Sequence, residues 1–368
     1  ILTMKKFLIG STALIGAALI AATAQAEDRK VLVGGVIDFQ GGWIDEDLDA
    51  GRRDYGFRND TEVSVAVQGR ADNGLGYGAV IDLEADVSAD ADNQGLNASS
   101  TYVFLDGSFG RFEMGSNAGA AEALAVEADN IARGTGGIVG DWWYYATAPG
   151  GSFLTKPSLP GEHGRTTAFG DESTYNAAKL TYYSPRMSGF QLGASFVPDY
   201  DDRGQALARN DVTGTFGDAF ELGLNWEGQW DTVGLAAAAT GAIGDGEAAG
   251  SEDLRAWNAG LAASFSGFSL AGSYGDWDDS LGAGTDSDYY TLGAAYDFGP
   301  FGASVNWMDS EIDTGGGSND FDNLVFGADY MVAPGLTPYA EVSFFDADAP
   351  AGTDNDGTVV ILGTELAF

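Results

Sequence analysis

The sequence predicts an all-β chain closed into a 16-stranded antiparallel transmembrane β-barrel. Three observations carry this. Apolar and polar residues alternate with a period of two along nearly the whole chain, the pattern of a sheet with one greasy and one wet face. Tight turns alternate with long joints rich in Gly, Asp and Ser. No stretch beyond residue 26 reaches the roughly 18 uncharged apolar residues that a membrane helix needs, so a chain that enters a membrane does so with strands.

Composition bounds what such a chain can do. Its 368 residues hold 55 Asp+Glu against 17 Lys+Arg, a net charge of -38, with no Cys. A charge this negative repels nucleic acid, which is bound through a basic footprint. A disulfide-stapled or thiolate-metal fold is excluded without Cys. Disorder is excluded by 21 Phe, 15 Tyr and 8 Trp, more apolar surface than a disordered chain carries.

The first element is a secretory leader. Lys5 and Lys6 precede an apolar run over residues 7–22, and Ala24-Gln25-Ala26 follows as a small-x-small cleavage site. The expected organisation is a signal peptide over residues 1–26, with residues 1–3 upstream of the start at Met4, and a barrel over residues 27–368; an N-terminal membrane anchor is the alternative. Processing takes the charge to -40, because only Lys5 and Lys6 are lost.

The strands follow in order. From Arg58 to Arg70 the even positions are mostly polar, while Val63, Val65 and Val67 lie on the other face. Asp72-Asn73-Gly74 makes a tight turn. The alternation then resumes with Leu75, Tyr77, Ala79, Ile81 and Leu83 against Asp82 and Glu84. Later stretches repeat it, as in Phe220, Leu222, Leu224 and Trp226, or Leu324, Phe326, Ala328 and Tyr330. Long joints are expected near residues 41–54, 88–98, 117–174, 198–218, 242–253, 276–287, 309–320 and 346–357, giving sixteen strands. Short turns on one side and long loops on the other are the habit of bacterial outer-membrane barrels. A soluble β-sandwich gives the same binary pattern. A small, polar inward face and aromatics near strand ends, such as Trp226, Trp230, Tyr274, Trp277, Trp307 and Tyr330, favour the barrel.

The chain resembles the general trimeric porins of Gram-negative outer membranes, the alphaproteobacterial branch in particular. The resemblance rests on the opening strand Val31-Leu32-Val33-Gly34-Gly35, on Asp72-Asn73-Gly74-Leu75-Gly76-Tyr77-Gly78-Ala79, on Phe109-Gly110-Arg111-Phe112-Glu113-Met114-Gly115, on the hairpin from Tyr182-Tyr183-Ser184-Pro185-Arg186 to Gly189-Phe190-Gln191-Leu192, and on the terminal Leu366-Ala367-Phe368. It implies a homotrimer in contact with outer-membrane lipid and lipopolysaccharide. It further implies that the barrel-assembly machinery reads Phe368, and that the third long loop folds inward to narrow the pore. The function implied is passive diffusion of small hydrophilic solutes and ions across the outer membrane.

That loop is the joint over residues 117–174, longer than a compact fold tolerates without purpose. It supplies Glu122, Glu127, Asp129 and Asp141 as the acidic side of an eyelet, and Trp142, Trp143, Tyr144 and Tyr145 to pack it on the wall. An external lid is the alternative. Parity puts Arg58, Arg70 and Arg111 on the polar face, as the basic side, with Arg52 and Arg53 added from the first loop. Opposed charges across a narrow wet gap orient dipolar solutes. Each arginine has the plainer alternative of a rim charge or a partner for Asp60 or Glu62.

From residue 256 to 368 there are 18 acids and no base. A charge facing the bilayer midplane is unfavourable, so these acids are expected in lumen and loops, and the channel is expected to prefer cations. Asp276, Asp278, Asp320 and Asp322 offer carboxylates suited to calcium; no other cofactor is expected. Plain solvated charge is the alternative. An enzyme is not expected. The sole His, His163, lies in a Gly- and Pro-rich stretch with no strand to hold it beside a nucleophile. A surface adhesin is the remaining class.

Overall fold

The chain closes on itself edge to edge. The computed structural model describes residues 29–86, 98–159, 165–166, 177–202, 204, 207, 216–279, 284–314, 317–350 and 352–368. The segment expected as signal peptide, residues 1–26, and His163 lie outside them. Strands run in chain order as β1 (Lys30–Glu46), β2 (Tyr55–Arg70), β3 (Gly76–Glu84), β4 (Ala98–Gly107) and β5 (Gly110–Ser116). A short helix, α1 (Ala120–Leu124), and a two-residue ladder of β6 (Phe153–Leu154) with β7 (Arg165–Thr166) come next. The wall then continues through β8 (Ala178–Tyr183), β9 (Phe190–Asp199), β10 (Phe216–Trp230), β11 (Val233–Gly246), β12 (Leu254–Phe265) and β13 (Phe268–Trp277). It ends with β14 (Ser287–Phe298), β15 (Phe301–Thr314), β16 (Gly317–Tyr330), β17 (Leu336–Asp348) and β18 (Asn355–Ala367).

All sixteen wall strands pair antiparallel with their neighbours, and β1 pairs with both β2 and β18. A reciprocal pair of backbone bonds between Gly35 and Phe368, at 3.1 and 3.0 Å, finishes the seam. Closure leaves no unpaired edge, which is what allows a sheet to stand in lipid. Outward positions along each strand are apolar and exposed, among them Val31, Val33, Phe57, Leu192, Leu222, Leu261, Leu270 and Leu292. Inward positions are small or polar and buried, such as Ser195, Asn225, Asn258, Thr291, Asn306 and Glu341.

Two expectations change. The joint expected at residues 309–320 is strand for most of its length: β15 runs to Thr314 and β16 resumes at Gly317. In consequence the acids of residues 256–368 are not confined to lumen and loops. Asp276, Asp288, Asp309, Glu311, Asp320, Asp322, Asp346, Asp348 and Asp356 share the outward parity of Leu292, Phe326 and Phe344. They sit toward the long-loop ends, beyond Tyr290, Trp307, Leu324 and Phe344. The strands therefore outrun their own apolar belt, and the charges stand above the lipid core. Register sets them directly opposite one another: Asp309 faces Asp322, Asp322 faces Asp346, and Asp346 faces Asp356.

Candidate constriction and its wall contacts

The third long loop lies inside the barrel and follows the wall. From α1 against β8 to β11, it passes through turns at Asp129–Ile131, Gly137–Val139 and Asp141–Tyr144, which pack in sequence on β13 and β14, on β15 to β17, and on β18. It then doubles back so that β6 lies on β15 and β16. A chain inside a wet lumen keeps one fixed path only if its backbone groups find partners.

Wall side chains supply them. The Ala120 amide donates to Ser195 Oγ at 2.8 Å, Asn225 Nδ2 donates to the Leu124 carbonyl at 3.1 Å, and Asn306 Nδ2 to the Ala128 carbonyl at 2.6 Å. Farther along, Arg133 N donates to Ser304 Oγ at 2.9 Å. On the returning limb the Leu154 carbonyl accepts from Ser310 Oγ at 2.6 Å and the Ser158 carbonyl from Trp277 Nε1 at 2.8 Å. Each wall partner occupies an inward position. Where the loop backbone passes closest, the wall has no side chain: a Cβ on Gly260 would lie 1.7 Å from the Val126 carbonyl oxygen, and one on Gly327 2.1 Å from that of Arg133.

Two wall carboxylates grip the loop most firmly. Glu341 on β17 accepts the Thr135 amide at 3.0 Å and hydroxyl at 2.8 Å. Glu46 at the end of β1 accepts the Thr147 amide at 2.8 Å and hydroxyl at 2.6 Å, with Asn355 Nδ2 at 2.8 Å. Trp142 is buried between Phe321 and Phe345, ring centroids 5.7 and 5.4 Å away, and packs the loop as the sequence suggested.

The charges do not divide into an acidic loop and a basic wall. Arg58 and Asp141 do meet, with Nη1 to Oδ2 at 2.9 Å, and Arg58 Nη2 also holds Asp60 at 2.7 Å. Arg70 stands exposed at the tight-turn end of β2 and donates to the Gly74 carbonyl at 3.0 Å, far along the strand from Arg58. Arg111, just past another tight turn, pairs with its own strand neighbour Glu113 and lies 4.0 Å over the Phe104 ring. Glu127 is turned to the wall, accepting from Asn258 Nδ2 at 2.7 Å and the Tyr289 hydroxyl at 3.1 Å. Glu122 on α1 and Asp129 at the next turn are half-buried and lie in a different sector from β2.

Sequence reasoning passed over the reverse pair. Arg133 of the loop reaches Asp297 and, at 3.6 Å, Asp329, both on the wall. Parity marks Asp297, Asp329 and Glu341 as inward, which was the available signal. Burial pushes the Asp141 carboxyl above the ordinary carboxylate range, while Arg58 and a hydrogen bond from Gln40 pull it back down.

Among the described residues, two carboxylate trios lie close together: Asp60, Glu62 and Glu84 in the lumen, and Asp278, Asp279 and Asp286 in a loop. Asp278 is thus the one expected calcium residue that falls in such a group. Asp276, Asp320 and Asp322 lie on the outward faces of β13 and β16 instead.

A family model described as Gram-negative porin matches residues 10–350. The chain belongs to the Gram-negative porins. Among curated relatives, an uncharacterized protein of Rickettsia conorii is 26% identical, the match covering 93% of each chain, and one of Rickettsia typhi is 25% identical over 99% of this chain and 100% of its own. Among solved structures, an anion-selective porin from Comamonas acidovorans shares the fold at a TM-score of 0.63, 16% identity and coverage of 93% of this chain and 100% of that one. An engineered variant of Rh. blastica porin does so at 0.60 and 19%, over 92% and 100%. As a porin this chain is an outer-membrane channel, and its closed barrel with a loop laid along the inner wall is the matching architecture.

Proposed function

We propose that this porin forms a water-filled channel for passive diffusion of small hydrophilic solutes and ions, with a preference for cations. One observation carries the preference: among the described residues, five bases of the lumen are held by carboxylates. Arg58 pairs with Asp60 and Asp141, Arg111 with Glu113, Arg133 with Asp297 and Asp329, Lys179 with Glu221, and Arg186 with Glu227. Carboxylates also face one another on the lumen side, Glu365 opposite Asp38 across β18 and β1, Asp38 opposite the Asp60 that holds Arg58, and Glu62 opposite Glu84 across β2 and β3. An acid-lined wet bore a few Debye lengths or less across favours cations. The shared fold does not decide the sign, since the structural relative from Comamonas is named anion-selective.

The test is the reversal potential of single channels in a potassium chloride gradient. A potential on the cation side is expected; one on the anion side overturns the preference, and the absence of conductance steps overturns the channel itself.

A homotrimer in the membrane is the second part of this reading. The wall is low at β5 and β8, with 7 and 6 residues. At about 3.3 Å per residue and about 40° tilt these reach roughly 18 and 15 Å, short of the roughly 25 Å apolar band of such barrels. Their outward residues Phe112, Met114, Leu180 and Tyr182 are apolar or aromatic. A flank too low for lipid and free of charge suits a second copy of the chain. Contact of the taller flank with lipid and lipopolysaccharide, and reading of Phe368 by the assembly machinery, belong to the same proposal.

A further inference from the structure

Arg58 makes three contacts that together use most of its guanidinium. Nη1 holds Asp141, Nη2 holds Asp60, and the flat face lies 3.7 Å from the centroid of the Tyr144 ring. On β1, Gln40 stands directly opposite Arg58 in the register and donates to the same Asp141 oxygen, while accepting the Tyr145 hydroxyl at 3.2 Å. Tyr144 in turn stacks on Trp143 with centroids 3.7 Å apart, and Lys156 lies 5.3 Å over the Trp143 ring. The loop segment Asp141–Tyr144 is therefore seized by one planar cation and its strand neighbour.

The exposures fix which group meets the lumen. The Arg58 side chain is 20% exposed, whereas Tyr144 is 43% exposed and covers it. Solutes meet a phenol at the place where the sequence offered Arg58 either as a pore base or as a partner for Asp60.

We propose that Arg58 is a positioning residue, the clasp that fixes the constricting segment to β1 and β2, and that Tyr144 masks its charge from the pore. This rests on the channel reading above and deepens it, because it assigns the acidic character of this sector to a base spent on holding the loop. The chemistry demands arginine. A planar fork bonds two carboxylates and stacks on a ring at the same time; an ammonium of the same charge is a compact, strongly hydrated point that cannot do all three.

The test compares full-length barrels carrying Arg58→Lys, Arg58→Ala or Tyr144→Ala with the unaltered protein in planar bilayers, folding being verified beforehand by the heat-dependent gel mobility of the closed barrel. A clasp predicts several-fold greater open-channel current noise in both Arg58 variants, the lysine failing to rescue although the charge is kept. It predicts in addition that Tyr144→Ala bares the guanidinium and lowers the cation-to-anion permeability ratio. Were Arg58 a field-setting base, R58K would behave as the unaltered protein and R58A would shift the ratio without noise; that result overturns the proposal. Hydrogen exchange on the same barrels reads the clasp without any current. Faster exchange confined to the loop around residues 141–147 in R58K supports it, and unchanged exchange overturns it. A barrel that never conducts but shows the R58K exchange effect sinks the channel reading and leaves the clasp standing.

Discussion

Glu341 binds Thr135 twice, through the backbone amide at 3.0 Å and through the hydroxyl at 2.8 Å, so one wall carboxylate holds both hydrogen-bond donors of a single loop residue. The arrangement predicts that Glu341→Ala loosens the constriction without unfolding the barrel. The loss leaves a half-buried amide without its partner, at most about 1 to 3 kcal/mol. Conductance of the variant is expected to rise and fluctuate, and loop amides near residue 135 to exchange faster. Glu341→Gln keeps one acceptor oxygen and should fall between the two. Unchanged conductance and exchange in the alanine variant would remove Glu341 from this role.

The wall glycines under the loop predict a steric counterpart. A Cβ at Gly260 would press into the Val126 carbonyl at 1.7 Å, an overlap that only movement of the loop relieves. Gly260→Ala should therefore displace the segment between α1 and the Asp129–Ile131 turn and weaken the Glu127 bonds to Asn258 and Tyr289. Channel conductance is the readout, with Gly56→Ala as control because nothing lies within 4 Å of its added methyl. Equal conductance in both variants would mean the loop does not run where described.

The barrel was legible in the sequence because its signal is local. Period-two alternation at Val63, Val65 and Val67, or at Leu324 to Tyr330, states strand and face at once. Strand ends were less legible for a physical reason. Above the apolar belt the outward faces of β15 and β16 carry Asp309, Glu311, Asp320 and Asp322, and only Ile312 and Phe321 mark the inward face, so residues 309–320 read as loop although the ladder continues through Thr314 and Gly317. The constriction was legible only in part. Arg58 and Asp141 were both chosen, yet the third member of that contact is Gln40, whose position opposite Arg58 depends on register. Glu341 is some two hundred residues from its partner Thr135, and no local pattern joins them.

Asp141 gives the pH prediction. Its folded pKa is raised by burial despite Arg58, so the folded protein holds that proton more tightly than the unfolded chain does. The contribution of this group to stability is then complete below about pH 4, the ordinary carboxylate value, and declines as pH rises through the raised folded value. Asp141→Asn cannot titrate. The melting temperature of the unaltered protein relative to the asparagine variant should accordingly fall as pH rises from about 4 through the raised folded value and then level off. A difference independent of pH would mean that Asp141 titrates alike in both states. Removing Arg58 takes away the largest opposing influence and should move the same decline to higher pH.

The outward carboxylates give the last prediction. Asp309, Asp322, Asp346 and Asp356 face one another in a row across four strands, and Glu311, Asp320 and Asp348 form a second row beside it. Like charges directly opposite on one sheet face destabilise by roughly 0.2 to 1 kcal/mol per pair. The Trp307 indole donates to Asp322 at 2.7 Å, which eases one member without neutralising the row. Repulsion of this kind is screened as the Debye length falls from about 10 Å at 0.1 M salt to about 3 Å at 1 M. The purified barrel should therefore melt at higher temperature in 1 M than in 0.1 M sodium chloride. Asp322→Asn removes the charge facing both Asp309 and Asp346, so it should raise the low-salt melting temperature and shrink the salt increment. Asn323 beside it points inward, and its replacement by Ala serves as the comparison that leaves the increment intact. Calcium chloride at matched ionic strength separates screening from ligation. If the increment survives in Asp322→Asn undiminished, the row carries no strain and the acids above the belt are independent solvated charges.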